Sequence, residues 1–352
     1  GTLLSAGGVA ALASVLNTQT GLIGNTLAYC LATAVAGTGL GWLLAHVLGV
    51  YQTPGRRVLH ALCVAPLVLP SFTFAMALIV LFGHSGLVTG RLAPGFEVYG
   101  FGGLVVAGTM ARFPLAYLNL SWAYRRLNRS LLEAAGELGA TPGQVTRRLV
   151  VPRLAPALLS SFLLLFGDAI ADVAIPLVIG GGYPTIATRM YEAIASEGDT
   201  VAASAYALLL LVPAATLWLF ASRLSREQPN PIGTTPPRPA RPPAVAGRLL
   251  QVVAWASAGL MLALLLAVLA GALTDPSGGV SLHEVAALLQ GPDARPFAMS
   301  LVLALVVAPL VMALAFGLTR VTADDAGRLR RARRALQAIA ALPPTVLGLG
   351  AF

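Results

Sequence analysis

The sequence of 352 residues contains no lysine, only two cysteines and few charged side chains of any kind. Charged residues make up 11% of the chain, whereas 57% of its residues are hydrophobic and its mean hydropathy is +0.80. Ordinary soluble domains carry about 25% charged residues, so the composition excludes that class. Cys30 and Cys63 both lie inside apolar stretches. This placement favours small core residues over a disulfide or a metal site.

Long apolar runs recur along the whole chain. A helix needs about 20 apolar residues to cross the hydrocarbon core of a bilayer, and its backbone groups must bond to each other there. The sequence therefore predicts an all-α polytopic membrane protein. We predict spans at 22–48, 58–82, 101–123, 154–180, 201–222, 249–273 and 298–319, with an eighth beginning near 335.

All 23 basic residues are arginines, and their distribution predicts the orientation. If the loop at 49–57 is cytoplasmic, nineteen arginines fall on the cytoplasmic side. Only Arg91, Arg189 and Arg295 fall outside, and Arg112 lies within a span. This is the positive-inside rule, so the basic balance indicates membrane topology and not a nucleic-acid partner. We expect a multi-pass membrane protein.

The sequence also repeats itself at an offset of 274 residues. The aligned pairs include Thr26-Leu27 with Ser300-Leu301, Arg56-Arg57 with Arg330-Arg331, and Pro70-Ser71 with Pro344-Thr345. Similarity at a fixed period over roughly 50 positions predicts duplicated structural units. We predict a first half at 1–225 that lacks its first span, a Pro- and Arg-rich cytoplasmic linker at 226–247, and a truncated second half at 248–352.

One segment between two predicted spans carries a specific motif. Glu133-Ala134-Ala135 is followed after three residues by Gly139, and after nine more by the aliphatic run Leu149 to Val151 and Pro152. This spacing resembles the cytoplasmic EAA loop of permeases from binding-protein-dependent ABC importers. The resemblance implies a type I (MetI-like) helical bundle with two tandem six-span halves, of which this chain would hold about eight spans. It also implies that the protein lies in the bacterial inner membrane.

Local chemistry predicts the shape of this loop, residues 131–153. Helix formers run from Leu131 to Leu138, and Gly139 can adopt the positive φ that ends a helix. Thr141 is a suitable N-cap with Pro142 at the first helical position, and Gln144 completes a capping box. We expect Pro152 to end this second, short helix before the next span. The predicted element is a helix, a sharp turn and a second helix.

By the resemblance, this element docks the permease onto its ATPase. Glu133, Ala134, Ala135 and Gly139 would form the contact, with Thr141, Pro142 and Pro152 shaping it. The implied partners are a homodimer of P-loop ATPase subunits at the cytoplasmic face and a periplasmic or lipid-anchored substrate-binding protein at the outer face. The chain itself would be a transport permease and not an enzyme, with no cofactor and no bound metal.

Two acidic residues lie within the span predicted at 154–180. Charged groups at such depth are costly and usually face a bundle interior or a water-filled cavity. A spacing of four places Asp168 and Asp172 on one face of a helix. Either they line the translocation pathway or its gate together with Arg112, or they form a structural ion pair with that arginine.

The following residues bear on the substrate. The run Ala171 to Tyr183 is similar to a segment of fused permeases for ferric-iron uptake, although Val173-Ala174 replaces a Phe-Gly pair of that family. Thr188 to Tyr191 also resembles the ferric family. Ferric iron is the first expectation, with 2-aminoethylphosphonate or thiamine as alternatives. No two of His46, His60, His84 and His283 have ligand spacing. A secondary transporter built from repeats is the alternative from a different class.

Overall fold

The computed structural model describes residues 20–84, 86, 88–89, 97–224, 245–273, 291 and 294–324. The linker between the predicted halves and the span expected near 335 lie largely or wholly outside these residues. The described helices are α1 (Thr20–Val50), α2 (Arg56–Val64), α3 (Phe72–Phe82), α4 (Phe101–Arg125), α5 (Arg129–Glu137), α6 (Pro142–Val145), α7 (Val151–Ile170), α8 (Ala174–Ile179), α9 (Ile186–Ala195), α10 (Thr200–Leu224), α11 (Ala246–Leu273) and α12 (Ala294–Asp324).

The prediction of an all-α membrane protein is confirmed. Within the described residues, six helical stretches are long and apolar enough to span a bilayer, or seven if the bent pair Arg56–Val68 and Phe72–Phe82 counts as one span. The six are Gly21–Val50, Phe101–Arg125, Pro142–Ile170, Thr200–Leu217, Gly247–Leu273 and Ala294–Gly317. Each overlaps a span predicted from hydropathy.

The span predicted at 58–82 corresponds to this bent pair of helices and is not one straight helix. The chain bends by 108° between its two halves. A 3₁₀ turn at Ala65–Val68 ends with Leu69 in an extended conformation, with φ −97° and ψ 144°. Leu69 precedes Pro70, and the proline ring disfavours a helical conformation in the residue before it. Hydropathy detects the apolar length here but not the break.

The span predicted at 154–180 also has different bounds. Its helix begins earlier, at Pro142, and ends at Ile170. After a break, residues Ala174–Ile179 form the separate helix α8. Asp172 consequently lies in the break and not on the same helix as Asp168, so the helical-face argument for this pair is wrong.

The core of the first unit, which extends to residue 266, is built where α1 packs against α4 and α7. Side chains from all three helices are fully buried there, including Tyr29, Leu120 and Leu165. A small residue permits the close approach: a Cβ atom on Gly41 would lie 2.7 Å from the Cβ of Ala116. Small residues at helix crossings are the usual means of close packing in membranes, where hydrophobic burial between helices contributes little.

Of the described residues, 267–273, 291 and 294–324 belong to the second unit. Its main element is α12, which is 31 residues long. No residue of the apolar stretch Ala294–Gly317 within it is buried. Helix α12 has the same length as α1 and begins 274 residues after it, which is the offset of the sequence repeat. The division into two halves remains a prediction.

Candidate functional site

The first candidate site is the element between α4 and α7. Helix α5 starts at Arg129, two residues before the predicted start, because the side chain of Asn128 caps it by accepting a hydrogen bond from Ser130 N at 3.0 Å. The sequence signal for this cap, an asparagine ahead of a helix-forming run, was present but overlooked.

The end of α5 has the predicted geometry. Gly139 has φ +81°, in the left-handed region. Gly139 N donates to Gly136 O at 2.9 Å, and Ala140 N donates to Ala135 O at 3.0 Å. These two bonds form a Schellman motif, which satisfies the last carbonyls of a helix and turns the chain sharply. The motif glycine is therefore needed for backbone conformation, and the motif alanine accepts the closing bond.

The start of helix α6 also has the predicted cap. Gln144 N donates to Thr141 Oγ1 at 3.3 Å, and Thr141 N donates to the Gln144 side chain at 2.9 Å. Together with Pro142 in the first turn, this is a complete capping box. Helices α5 and α6 are thus joined by a short connection whose backbone is hydrogen-bonded on both sides.

The role predicted for Pro152 as a helix terminator is wrong. A π-helical turn at Thr146–Val150 connects α6 to α7, and Pro152 occupies the first turn of α7. Val151 N bonds back five residues to Thr146 O. A wider turn relieves the clash between a proline ring and the carbonyl four residues before it. Residues Pro142–Ile170, from α6 to the end of the following span, are therefore one continuous helical rod.

The surface of this element presents the motif to solvent. Glu133 and Ala134 are exposed and Ala135 is half-buried. The neighbouring Leu138, which the motif does not include, is 88% exposed. The residues that follow Leu138 in the chain line a surface depression of about 530 Å³, formed by Thr141, Gly143, Gln144, Arg147 and Arg148.

The second candidate site is a buried charged cluster. Arg112 lies at the middle of α4 and its side chain is 3% exposed. Its Nε bonds to Asp168 Oδ2 at 2.7 Å, and its Nη2 lies 2.8 Å from Asp172 Oδ2. The structure thus brings the three predicted residues together, and the ion pair between them is observed. A part in the translocation pathway stays a prediction.

Asp172 has more partners than its charge pair. Its Oδ2 accepts a hydrogen bond from Tyr29 Oη at 3.0 Å, while Oδ1 accepts from the backbone N–H groups of Ala174 and Ile175 at 3.1 and 3.3 Å. The carboxylate therefore fastens the start of α8 to both α1 and α4. Tyr29 was missed from the sequence, since nothing local distinguishes one tyrosine in an apolar span.

Asp168 differs from Asp172 in its exposure. The side chain of Asp168 is 53% exposed, against 5% for Asp172. With one guanidinium and two carboxylates the cluster carries one excess negative charge, and Asp168 is its exposed member. Such an arrangement can attract a cation and hold the surrounding helices together at the same time.

A second polar contact joins α4 to α7, eight and seven residues before Asp168 along the chain. The side-chain amide of Asn119 on α4 donates to Ser160 Oγ at 3.0 Å and to Ser161 Oγ at 2.9 Å. Ser160 and Asp168 are both exposed and lie eight residues apart on α7, with Leu164 between them. Among the described residues, no group of three His, Cys, Asp or Glu side chains is placed to hold a metal ion.

Comparison with known proteins gives a family match. The model of a family described as "Binding-protein-dependent transport system inner membrane component" matches residues 37–226, which contain both candidate sites. A bacterial alginate ABC transporter, solved in complex with an alginate pentasaccharide-bound periplasmic protein, has a similar chain fold. That similarity has a TM-score of 0.50 at 21% identity and covers 58% of this chain and 77% of the other.

Three curated relatives differ in the substrate that they name. The ferric transport system permease protein FbpB of Actinobacillus pleuropneumoniae is 35% identical over 42% of this chain, and the alignment spans only 23% of that relative. The sulfate transport system permease protein CysT of Salmonella typhimurium is 31% identical over 51% of this chain and 66% of its own length. A Salmonella typhi protein described under 2-aminoethylphosphonate transport, PhnU, is 29% identical over 59% of this chain and 77% of its own.

Proposed function

Because the chain belongs to the family of binding-protein-dependent transport system inner membrane components, we propose that it is the transmembrane permease of an ATP-driven importer. It would move a substrate delivered by a binding protein from outside the cell into the cytoplasm. ATP hydrolysis would take place in a partner subunit, and the chain itself would catalyse no reaction.

The observation that carries this proposal is the element Arg129–Ile170. It joins an exposed helix–turn–helix, closed by the Schellman motif at Gly139 and the capping box at Thr141, to a span without a break. A rigid element that ends in a membrane span can transmit a movement at the membrane surface into the bilayer. The exposed residues Glu133, Ala134 and Leu138, with the half-buried Ala135, would supply the contact surface.

The partners follow from this role. A homodimer of P-loop ATPase subunits would bind the element at the cytoplasmic face, and a periplasmic or lipid-anchored binding protein would dock at the outer face. Closure of the ATPase dimer on ATP would move the element and open the spans outward, and hydrolysis would reset them inward. The intact permease would have two tandem six-span halves, joined here through the segment at 226–247.

For the substrate we propose ferric iron. The excess negative charge of the Arg112 cluster and the exposure of Asp168 favour a cation over an anion, and a relative that is 35% identical is named for ferric transport. Import of 2-aminoethylphosphonate or thiamine is the alternative. A secondary transporter is the alternative from a different class. The exposed helix–turn–helix Arg129–Val145, here called the docking element, would have no use in it.

Uptake by cells that express the full-length protein with its ATPase tests the permease role. Glu133→Lys and Gly139→Val should abolish uptake while both variants still insert into the membrane. Glu197→Lys, the same charge change at an exposed site outside the element, should leave binding of the ATPase unchanged. Normal uptake in both element variants would contradict the docking role.

A second experiment separates the substrates. Cells that depend on this importer are supplied with radiolabelled ferric iron, sulfate, 2-aminoethylphosphonate or thiamine, and Asp168→Asn is compared with the native protein. Ferric uptake that falls in Asp168→Asn is the expected result. Uptake of an anion alone, unaffected or improved by Asp168→Asn, would exclude the cation assignment and leave the permease role standing.

A further inference from the structure

Two tyrosine hydroxyls bind α4 to its neighbours on the side that carries the docking element. Tyr124, in the last turn of α4, is 3% exposed, and its Oη lies 2.8 Å from Nδ1 of His46 on α1. Trp42 Nε1, also on α1, donates to the same Oη at 3.1 Å. Since Oη accepts from the indole, its single proton is free to be donated to His46.

A second tyrosine–histidine pair joins α4 to α2. Tyr117 is 2% exposed, and its Oη lies 2.6 Å from Nδ1 of His60 on α2. Tyr117 and Tyr124 are seven residues apart, so they lie on nearly the same face of α4, two turns from each other. Each therefore connects α4 to a different helix through a tyrosine–histidine hydrogen bond.

Tyr124 is also close to the docking element along the chain. Its carbonyl accepts a hydrogen bond from Leu127 N at 3.2 Å, which turns the chain out of α4. The next residue, Asn128, is the N-cap of α5. The link between the tyrosine and the docking element is therefore only a few residues long and is itself hydrogen-bonded.

We propose that Tyr124 and Tyr117 are positioning residues that clamp α4 to α1 and α2, so that these helices follow the docking element as one body. Both tyrosine side chains are buried, so neither belongs to the exposed face of the docking element. The clamps instead determine how much of the element's movement reaches the spans. The transport part of this proposal rests on the proposed function, whereas the mechanical part does not.

The mechanical part is tested by distance measurement in the full-length protein in lipid nanodiscs. Spin labels are attached at Arg57→Cys on α2 and Glu137→Cys on α5, both exposed sites, because the native Cys30 and Cys63 are 0% and 1% exposed and would not react. Double electron–electron resonance should give a narrow distance distribution. Tyr124→Phe with Tyr117→Phe should broaden it clearly, while Tyr206→Phe, at a buried tyrosine on α10, should not.

The transport part is tested by the ratio of ATP hydrolysed to substrate imported in proteoliposomes. Loss of a buried hydrogen bond should raise this ratio about fivefold in Tyr124→Phe. His46→Gln, whose amide oxygen can still accept the tyrosine proton, should retain more coupling than His46→Leu.

The outcomes are distinguishable. A distance distribution unchanged by the double tyrosine variant would overturn the clamp, whatever the protein transports. A broadened distribution with a normal ratio of ATP to substrate would overturn its role in coupling. A broadened distribution in a protein whose native form shows no ATP-driven import would leave the clamp standing and contradict the proposed function.

Discussion

At the level of single residues, the buried guanidinium of Arg112 determines the chemistry at the middle of the bundle. A charged group of 3% exposure requires compensation, and it receives two carboxylates from the α7–α8 region. Removing one partner of a buried pair commonly costs about 3–5 kcal/mol, because it leaves the other charge uncompensated. The buried Asp172 should therefore contribute more to the stability of the protein than the exposed Asp168.

Asp172→Asn should lower the stability of the protein by about 3 kcal/mol, since it removes a charge that is almost fully buried. Asp168→Asn, at a side chain that is 53% exposed, should cost less than about 1 kcal/mol. Thermal unfolding in detergent, followed by tryptophan fluorescence, measures the difference. Equal losses of stability would contradict the arrangement.

Sequence reasoning found Arg112, Asp168 and Asp172 because charge within an apolar span is rare and easily seen. It did not find Tyr29, nor the pairing of His46 and His60 with Tyr124 and Tyr117. These contacts are made by residues 57 to 143 positions apart along the chain. They depend on which helices pack together, which no local pattern contains.

At the level of elements, the docking element shows how short-range hydrogen bonds define a rigid shape. The Schellman motif and the capping box each close within six residues. Both were predictable from the sequence, because the chemistry of a cap depends on residues only a few positions apart. The π-helical turn was not predictable, since it results from Pro152 being accommodated inside a continuous rod.

Gly139→Ala should weaken binding to the ATPase, because an alanine in the left-handed region costs about 1–2 kcal/mol. Gly143→Ala is the matched control. A Cβ atom at either glycine meets nothing within 4 Å, but only Gly139 has a positive φ. Affinity for the purified ATPase should fall in the first variant and stay the same in the second. An equal effect of both would show that backbone conformation is not the cause.

Pro152→Ala should impair transport without reducing stability. Restoring the missing N–H lets the π-helical turn tighten to an α-helix, which would rotate α6 relative to α7. Pro156→Ala, in the same helix but beyond the π-helical turn, serves as the control. Uptake and thermal unfolding are measured together, and full uptake in Pro152→Ala would contradict the role of the turn.

At the level of the whole molecule, the orientation follows from the arginine distribution and the packing. The end of α1 at Gly49 packs against Tyr124 at the end of α4, so the arginine-rich loops that follow these helices are on the same side. On the opposite side, Asn25 and Thr26 of α1 bond to Pro184 and Ile186. Hydropathy identified the spans well, but it could not identify the bend between α2 and α3, which depends on Pro70.

Labelling of engineered cysteines should confirm this orientation. A cysteine at position 192, in α9, should react with an impermeant maleimide in intact cells, whereas one at position 137 should react only after the inner membrane is opened. The native Cys30 and Cys63 are buried and give little background. The reverse pattern would invert the topology and place the docking element outside the cell.

The central claim is that an ATPase drives this protein through the element Arg129–Ile170. The most direct test is gentle purification of the full-length protein from its own membranes, followed by mass spectrometry of the proteins that accompany it. A P-loop ATPase should copurify with the native protein and be lost from Glu133→Lys. Absence of any ATPase from the native protein, at every detergent concentration that keeps it folded, would contradict the importer account.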